Sequence, residues 1–233
     1  MLDALQVIRL SLQHFWEEFV LLVMLNIVWT LAVALPLVPL FLLPSVDLIV
    51  ILILCLVLAL PLPIVTAALC FVTNQISRDK IANWGTFVLG VRRYWAKGLI
   101  VMAINVAVLV LFVANLQFYS VMLEGGLAFI VLTVWVTVGL YWLLTQIFWF
   151  PMILELENEK ILSALRNALI MVVVTPGFTI VLFLSLLLFV GVSIFLIIPA
   201  SVMTTSLVFL IMNHAARSRV AYAKKEPYPP PVE

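Results

Sequence analysis

Apolar stretches long enough to cross a bilayer alternate with short polar segments along most of this chain. A helix needs about 20 residues to cross a hydrocarbon core of about 30 Å. The pattern therefore predicts an all-α integral membrane protein, built as a six-span helical bundle. The predicted spans cover residues 19–43, 48–76, 99–122, 127–154, 178–198 and 200–216.

Prolines divide the first two predicted spans. Pro36 and Pro39 should kink or end the first helix, because proline lacks the backbone N–H and clashes with the preceding turn. Pro61 and Pro63 should break the second helix in the same way. Hydrocarbon cannot satisfy the backbone groups that such a break frees, so residues 60–63 should face protein or a polar cavity rather than lipid.

The overall composition fits a membrane protein. Of the 233 residues, 66% are hydrophobic and 10% are charged, and the mean hydropathy is +1.30. Soluble proteins have about 45–50% apolar and about 25% charged residues. Residues 1–216 are therefore interpreted as a single membrane domain, and residues 217–233 as a cytoplasmic Pro-rich tail.

The longest polar stretch, residues 76–98, is strongly basic. It contains five of the twelve Lys and Arg residues and a single acid, Asp79. Since Lys and Arg near span ends favour the inner side of the membrane, this stretch predicts a cytoplasmic loop. Placing both termini and the loops 78–97 and 155–175 on that side makes all twelve basic residues cytoplasmic. The sequence thus predicts a multi-pass protein with both termini in the cytoplasm.

A similar unit recurs near residues 2, 83 and 160, with an amphipathic helix followed by a transmembrane hairpin. This spacing suggests three repeats, each with an interfacial helix at the inner surface. An alternative is that short hairpins are simply the default construction of a six-span bundle. In the first unit, the predicted apolar face consists of Leu5, Ile8, Leu12 and Phe15.

The sequence offers little sign of catalysis. It contains no HExxH, GxSxG or paired intramembrane aspartate, and its two cysteines and two histidines stand apart from one another. We therefore expect no catalytic residues, no metal and no cofactor. A proton- or sodium-coupled carrier is also disfavoured, because no acidic residue lies at mid-membrane depth.

Two groups of polar residues are candidate contact sites. The first group lies at the predicted inner headgroup level, where cations gain about 1 kcal/mol each from anionic lipid. It consists of Arg92, Arg93, Trp95 and Lys97. The second group lies within the predicted spans, where the alternatives are hydrogen bonding between helices and contact with a ligand. It consists of Asn26, Thr66, Asn74 and Asn105.

Four segments together resemble the YesL family, a bacterial membrane protein family of unknown function. They are LNIVW (25–29), LPLPIVTAALCFV (60–72), the F-x-x-G-x-R-R-x-W run (87–95) and ALRNALIMVVVTPGFT (164–179). The resemblance implies a multi-span bundle in the bacterial inner membrane. Some members are encoded beside carbohydrate ABC transporters, which implies an accessory role, and the resemblance supplies no catalytic residues.

The leading functional hypothesis is a non-enzymatic accessory or assembly partner of a transport system, with carbohydrate ABC transport as the implied context. The alternative is a small transporter, or a membrane protein that binds a lipid or small molecule in a cavity near the Leu60–Pro63 break. The expected partners are anionic lipid headgroups of the inner leaflet and another membrane protein. Nucleic acid is not expected.

Overall fold

The computed structural model describes residues 2–43, 46–123, 125–156, 159–196 and 203–229. These residues form helices and turns, and no strand occurs among them. The prediction of an all-α helical bundle is confirmed. The helices are α1 (Leu2–Glu17), α2 (Phe19–Ala34), α3 (Val38–Leu42), α4 (Leu48–Ala59), α5 (Pro61–Ser77), α6 (Trp84–Met122), α7 (Gly125–Glu155), α8 (Ile161–Val174), α9 (Pro176–Leu196) and α10 (Thr205–Lys224).

Five helical segments among the described residues are long and apolar enough to cross a membrane. Their outer surfaces carry many exposed leucine, isoleucine and valine side chains, as expected where lipid rather than water is the solvent. The segments correspond to the first five predicted spans. They are Phe19–Leu42, Leu48–Ser77, Trp84–Met122, Gly125–Glu155 and Pro176–Leu196.

The predicted proline breaks are confirmed. A 3₁₀ turn at Leu35–Leu37 contains Pro36 and separates α2 from the short α3, which contains Pro39. The second span is interrupted at Leu60, where α4 ends and α5 begins with Pro61. Proline cannot donate the backbone hydrogen bond that would continue the helix, which explains both positions.

The predicted second repeat unit is wrong in one respect, because its amphipathic part is not a separate helix. Residues 84–122 form one continuous helix, about 58 Å long at 1.5 Å per residue. A capping box starts it: the Asn83 side chain accepts the Thr86 N–H at 3.0 Å, and the Thr86 hydroxyl accepts the Asn83 N–H at 3.2 Å. No proline follows before Met122, so nothing local ends the helix where the span was predicted to begin.

The buried face of α1 coincides only in part with the predicted apolar face. Ala4, Val7 and Ser11 are fully buried, whereas Leu5 and Leu12 of the predicted apolar face are 55% and 42% exposed. Small side chains let α10 approach α1 closely, and large apolar side chains can remain outside where the surroundings are lipid. Phe15 is 1% exposed and Ile8 packs against the core, so the helix was predicted correctly and its packing face in part.

The last helix, α10, begins inside the bundle. Its Ser206 N–H donates to the Asn26 side chain at 3.1 Å, and Asn26 lies seven residues, or about 10 Å, along α2. α10 is not among the segments apolar enough to cross a membrane, and residues 200–202 of the predicted sixth span lie outside the described residues. The sixth crossing stays a prediction. The predicted tail is helical as far as Lys224.

Ion pairs between distant segments gather at one end of the bundle. Arg219 near the C-terminus binds Asp3 at 3.0 Å. Arg78, just after α5, binds Glu155 at the end of α7 at 2.9 Å. The N-terminal helix, the end of α10 and the loops after α5 and α7 therefore share one side, in agreement with the grouping that the charge pattern predicts.

We predict that Gly98→Ala destabilises the protein. Gly98 in α6 crosses α5 so closely that an alanine Cβ would lie 2.4 Å from the Pro63 carbonyl oxygen and 3.0 Å from the Ala67 Cβ. Relieving such an overlap costs about 1–3 kcal/mol. Thermal unfolding of the detergent-solubilised protein should show a lowered midpoint.

Gly191→Ala is the matched control. No heavy atom lies within 4 Å of the Cβ that alanine would add there, and the position is helical. Its midpoint should stay the same or rise, because alanine is a better helix former than glycine by up to about 1 kcal/mol. Equal midpoints for Gly98→Ala and the unmodified protein would contradict the close crossing.

Candidate functional site

A cavity of about 590 Å³ lies beside the break between α4 and α5. Residues from α2, α5, α6, α7, α9 and α10 line it, so it forms where most of the bundle converges. Leu62 and Pro63 line it, near the predicted position, but two parts of the prediction are wrong: Leu60 is 50% exposed, and the wall is mostly apolar where a polar cavity was expected. The lining residues are Trp29, Leu62, Pro63, Thr66, Ala67, Gly98, Val101, Met102, Asn105, Gln146, Phe150, Val190, Ser193, Ile194, Thr204, Thr205, Val208, Phe209 and Met212.

Two of the predicted intramembrane polar residues, Thr66 and Asn105, line this cavity. The Thr66 hydroxyl oxygen accepts a hydrogen bond from the Trp29 indole N–H at 2.9 Å. Asn105 accepts from the Trp142 indole N–H at 3.1 Å and donates to the Val101 carbonyl at 3.0 Å. Each residue thereby connects two helices of the wall.

Other polar lining residues are also hydrogen-bonded to the protein. The Ser193 hydroxyl donates to the Phe189 carbonyl at 2.8 Å, and the Gln146 amide donates to the Trp142 carbonyl at 3.3 Å. Polar groups that already have hydrogen-bond partners leave few donors or acceptors for a ligand. Thr204 and Thr205 also line the wall, which is otherwise built mostly from aliphatic and aromatic side chains that suit an apolar molecule.

Exposed side chains mark where the cavity opens. Met102 on α6 is 42% exposed and Ile194 on α9 is 67% exposed, and both belong to the lining. Both helices are among the five segments that could cross a membrane. The opening therefore faces the surface that lipid would cover.

The other two predicted polar residues lie outside the lining. Asn26 is fully buried and caps α10 through its side-chain oxygen, while its side-chain nitrogen has no partner among the described residues. Asn74 donates to Glu155 at 2.8 Å and to Asn213 at 3.2 Å, and accepts from Arg78 at 3.1 Å. These bonds connect α5, α7 and α10 at the end of the bundle where the ion pairs gather.

The two histidines, which stand apart in the sequence, meet in the structure. The ring nitrogens His14 Nδ1 and His214 Nε2 are 3.2 Å apart, and His14 Nε2 lies 3.2 Å from the Asp79 carboxylate. The Tyr228 hydroxyl contacts the other ring nitrogen of His214. No group of three or more His, Cys, Asp or Glu side chains that could hold a metal ion occurs in the described ranges. These contacts connect α1, α10 and the segment after α10 to the loop after α5.

Three side chains of α6 converge on one carboxylate, that of Glu159, and we call them the cationic cradle: Arg93, Tyr94 and Lys97. Arg93 Nη2 donates to Glu159 Oε1 at 2.5 Å, and the Tyr94 hydroxyl donates to the same oxygen at 2.9 Å. The Lys97 ammonium binds the second oxygen. Two cations and a hydroxyl thus surround a single negative charge.

Glu159 is held in this cradle at a conformational cost. Its φ is +47°, in the left-handed region, which costs a residue with a Cβ about 1–2 kcal/mol. Burial raises the pKa of the Glu159 carboxyl, but the hydrogen bonds from Lys97 and Tyr94 and the charges of Lys97 and Arg93 outweigh it and lower the pKa below 4.5. The carboxylate is therefore ionised at neutral pH.

The predicted headgroup-anchoring residues do not share one environment. Arg92 is exposed and Trp95 is 51% exposed, so both face the surroundings. Arg93 and Lys97 instead turn towards Glu159, although the Arg93 side chain remains 56% exposed. Anchoring of these residues to lipid headgroups stays a prediction.

Sequence reasoning missed Glu159. The only signal for this residue was an acidic loop predicted on the same side of the membrane as a basic one.

We predict that Glu159→Gln lowers the thermal midpoint at neutral pH. The loss should be about 1 kcal/mol, since solvent screens the exposed Arg93. Because the folded-state pKa is lowered, the stabilisation by the carboxylate is complete above pH 4.5 and is lost as the pH falls through the folded-state value. Thermal unfolding in detergent across that pH range should show the two midpoints converge at acid pH. A constant difference would contradict the lowered pKa.

Comparisons of the chain with family models, with curated proteins and with solved structures found no match. The resemblance to the YesL family stays a prediction.

Proposed function

We propose that this protein is a non-enzymatic membrane protein that binds one amphiphilic, lipid-like molecule in the cavity beside the α4–α5 break. One observation carries the proposal: an apolar cavity of about 590 Å³ that opens between α6 and α9. Ligand sites typically have volumes of about 300–1,000 Å³ and mostly apolar walls. The cavity has both properties.

Hydrophobic contact supplies the affinity in this proposal. Each methylene group that leaves water for an apolar wall gains about 0.8 kcal/mol, so a chain dissolved as monomers in water would bind strongly. The same gain is small for a chain that comes from lipid, which is already apolar. Selection among membrane lipids then depends on shape and on the ligand's polar head.

We also propose the membrane in which the protein resides and the orientation of its termini. The five apolar helices support a membrane protein, and we propose the bacterial inner membrane with both termini in the cytoplasm. An accessory or assembly role beside a transport system, which the resemblance implies, is a second proposal. Copurification of a transporter subunit from native membranes in mild detergent would support it, and a solitary protein that moves a solute across liposomes would contradict it.

We predict that Val101→Phe weakens binding of an alkyl-chain probe. Val101 lines the cavity on α6, and a larger ring there should displace about two methylene groups of the ligand. Because the displaced chain returns to an apolar micelle, the loss comes from steric overlap with the ring, about 1–3 kcal/mol, or at least about fivefold in affinity. Titration of the detergent-solubilised protein with the methyl ester of a pyrene-labelled fatty acid, followed by fluorescence, measures the change.

Val106→Phe is the matched control, because Val106 lies on the same helix but is 47% exposed and outside the lining. It should leave the affinity unchanged. Equal effects of the two substitutions, or saturable binding that neither alters, would show that the probe does not occupy the cavity.

A further inference from the structure

The cationic cradle adjoins the inner end of the cavity. Gly98, which lines the cavity, directly follows Lys97 of the cradle. Tyr94 is 3% exposed and packs in a cluster with Ala67 and Phe150, and both of these residues also line the cavity. A charged site and an apolar site thus share one wall.

The cradle is built to hold an anion. The Tyr94 hydroxyl, the Arg93 guanidinium and the Lys97 ammonium all donate to the same carboxylate. The Lys97 ammonium also lies 4.8 Å from the centre of the Tyr94 ring, which favours a cation there. Donors that converge in this way bind carboxylates and phosphates in general, because charge-assisted hydrogen bonds do not depend on the carrier of the charge.

Glu159 occupies the cradle as the protein's own anion. Two features make its binding there weaker than that of a suitable ligand anion. Its backbone has a φ of +47°, so release of the side chain would relieve an unfavourable conformation. It also supplies one negative charge against two cations. A ligand anion that carries more charge, or that is tethered to a favourably bound chain, can therefore compete with it.

We infer that the ligand of the cavity is an anionic amphiphile, with its alkyl chain in the cavity and its carboxylate or phosphate head in the cationic cradle, where it replaces Glu159. This inference rests on the proposed function, since the chain must occupy the cavity. It adds the chemical class of the ligand and assigns Glu159 the role of an internal competitor. Neutral amphiphiles bind through the chain alone and leave Glu159 in place.

The test uses the full-length protein in nanodiscs of neutral phosphatidylcholine at pH 7.5. Two probes with the same chain are compared, a pyrene-labelled fatty acid and its uncharged methyl ester. In the Glu159→Gln background, where Lys97 has no internal carboxylate to lose, Lys97→Gln should weaken binding of the acid at least tenfold, the usual loss when a charge-assisted contact is removed, and leave the ester unchanged. Glu159→Gln should strengthen binding of the acid about tenfold, since the competing charge is gone, and leave the ester unchanged.

Two exposed residues outside the cradle provide matched charge controls. Lys80→Gln removes a positive charge from the loop after α5, and Glu226→Gln removes a negative charge after α10. Neither should alter the affinity of either probe. If Lys80→Gln weakens acid binding as much as Lys97→Gln does, the effect is general electrostatics and the inference is overturned.

A further arm distinguishes the source of the anion. Dodecyl phosphate should displace the labelled acid, whereas inorganic phosphate at the same concentration should not, because it lacks the chain. Equal displacement by the two would overturn the amphiphile assignment in favour of a site for free anions.

The inference and the proposed function fail in different ways. If Val101→Phe weakens both probes while Lys97→Gln and Glu159→Gln change neither, the cavity binds chains but the cradle does not bind heads. If neither probe responds to Val101→Phe, the cavity proposal itself fails. Folding of each variant is checked beforehand by its thermal midpoint, and Lys97→Arg, which keeps the charge, should retain selective binding of the acid.

Discussion

Hydrocarbon offers polar groups no partner, and the interior of this bundle follows from that constraint. The side chains of Thr66 and Asn105 could have formed a polar channel, yet each is occupied by an indole N–H from a neighbouring helix. The same bonds that fix the helices therefore leave these two side chains few donors or acceptors for the cavity between them. What remains is an apolar space inside a membrane domain, which differs from the water-filled interior that a pore would need.

The close crossing of α5 and α6 determines where that space can form. Gly98 has no side chain, so the α6 backbone approaches the Pro63 carbonyl, and both residues also line the cavity. Pro63 belongs to the interruption of the second span, so the bend of the chain and the close contact occur together. The absence of a side chain at Gly98 thus brings α5 and α6 together at this wall of the cavity.

Features that depend on a few neighbouring residues could be predicted from the sequence, and features that depend on tertiary pairing could not. The apolar lengths and the breaks at Pro36 and Pro61 are local, and the structure has them. The contact between Lys97 and Glu159 joins residues 62 positions apart, and no periodicity within either segment encodes it. α10 extends to Lys224, beyond the predicted end of the last span at residue 216, for a related reason: its polar residues are buried against other helices, which hydropathy alone does not indicate.

Lys97 belongs to the cationic cradle and Gly98 lines the apolar cavity, and the two residues are neighbours in the chain. A cation within reach of lipid would usually extend towards headgroups and water, but the Lys97 side chain is only 23% exposed and turns to Glu159 instead. Such a partner is needed because a buried ammonium without an anion is costly. Any molecule that displaces Glu159 must therefore bring its own negative charge. The apolar wall beginning one residue later favours an alkyl chain on that molecule, so the requirements of charge and of hydrophobicity converge on the same class of ligand.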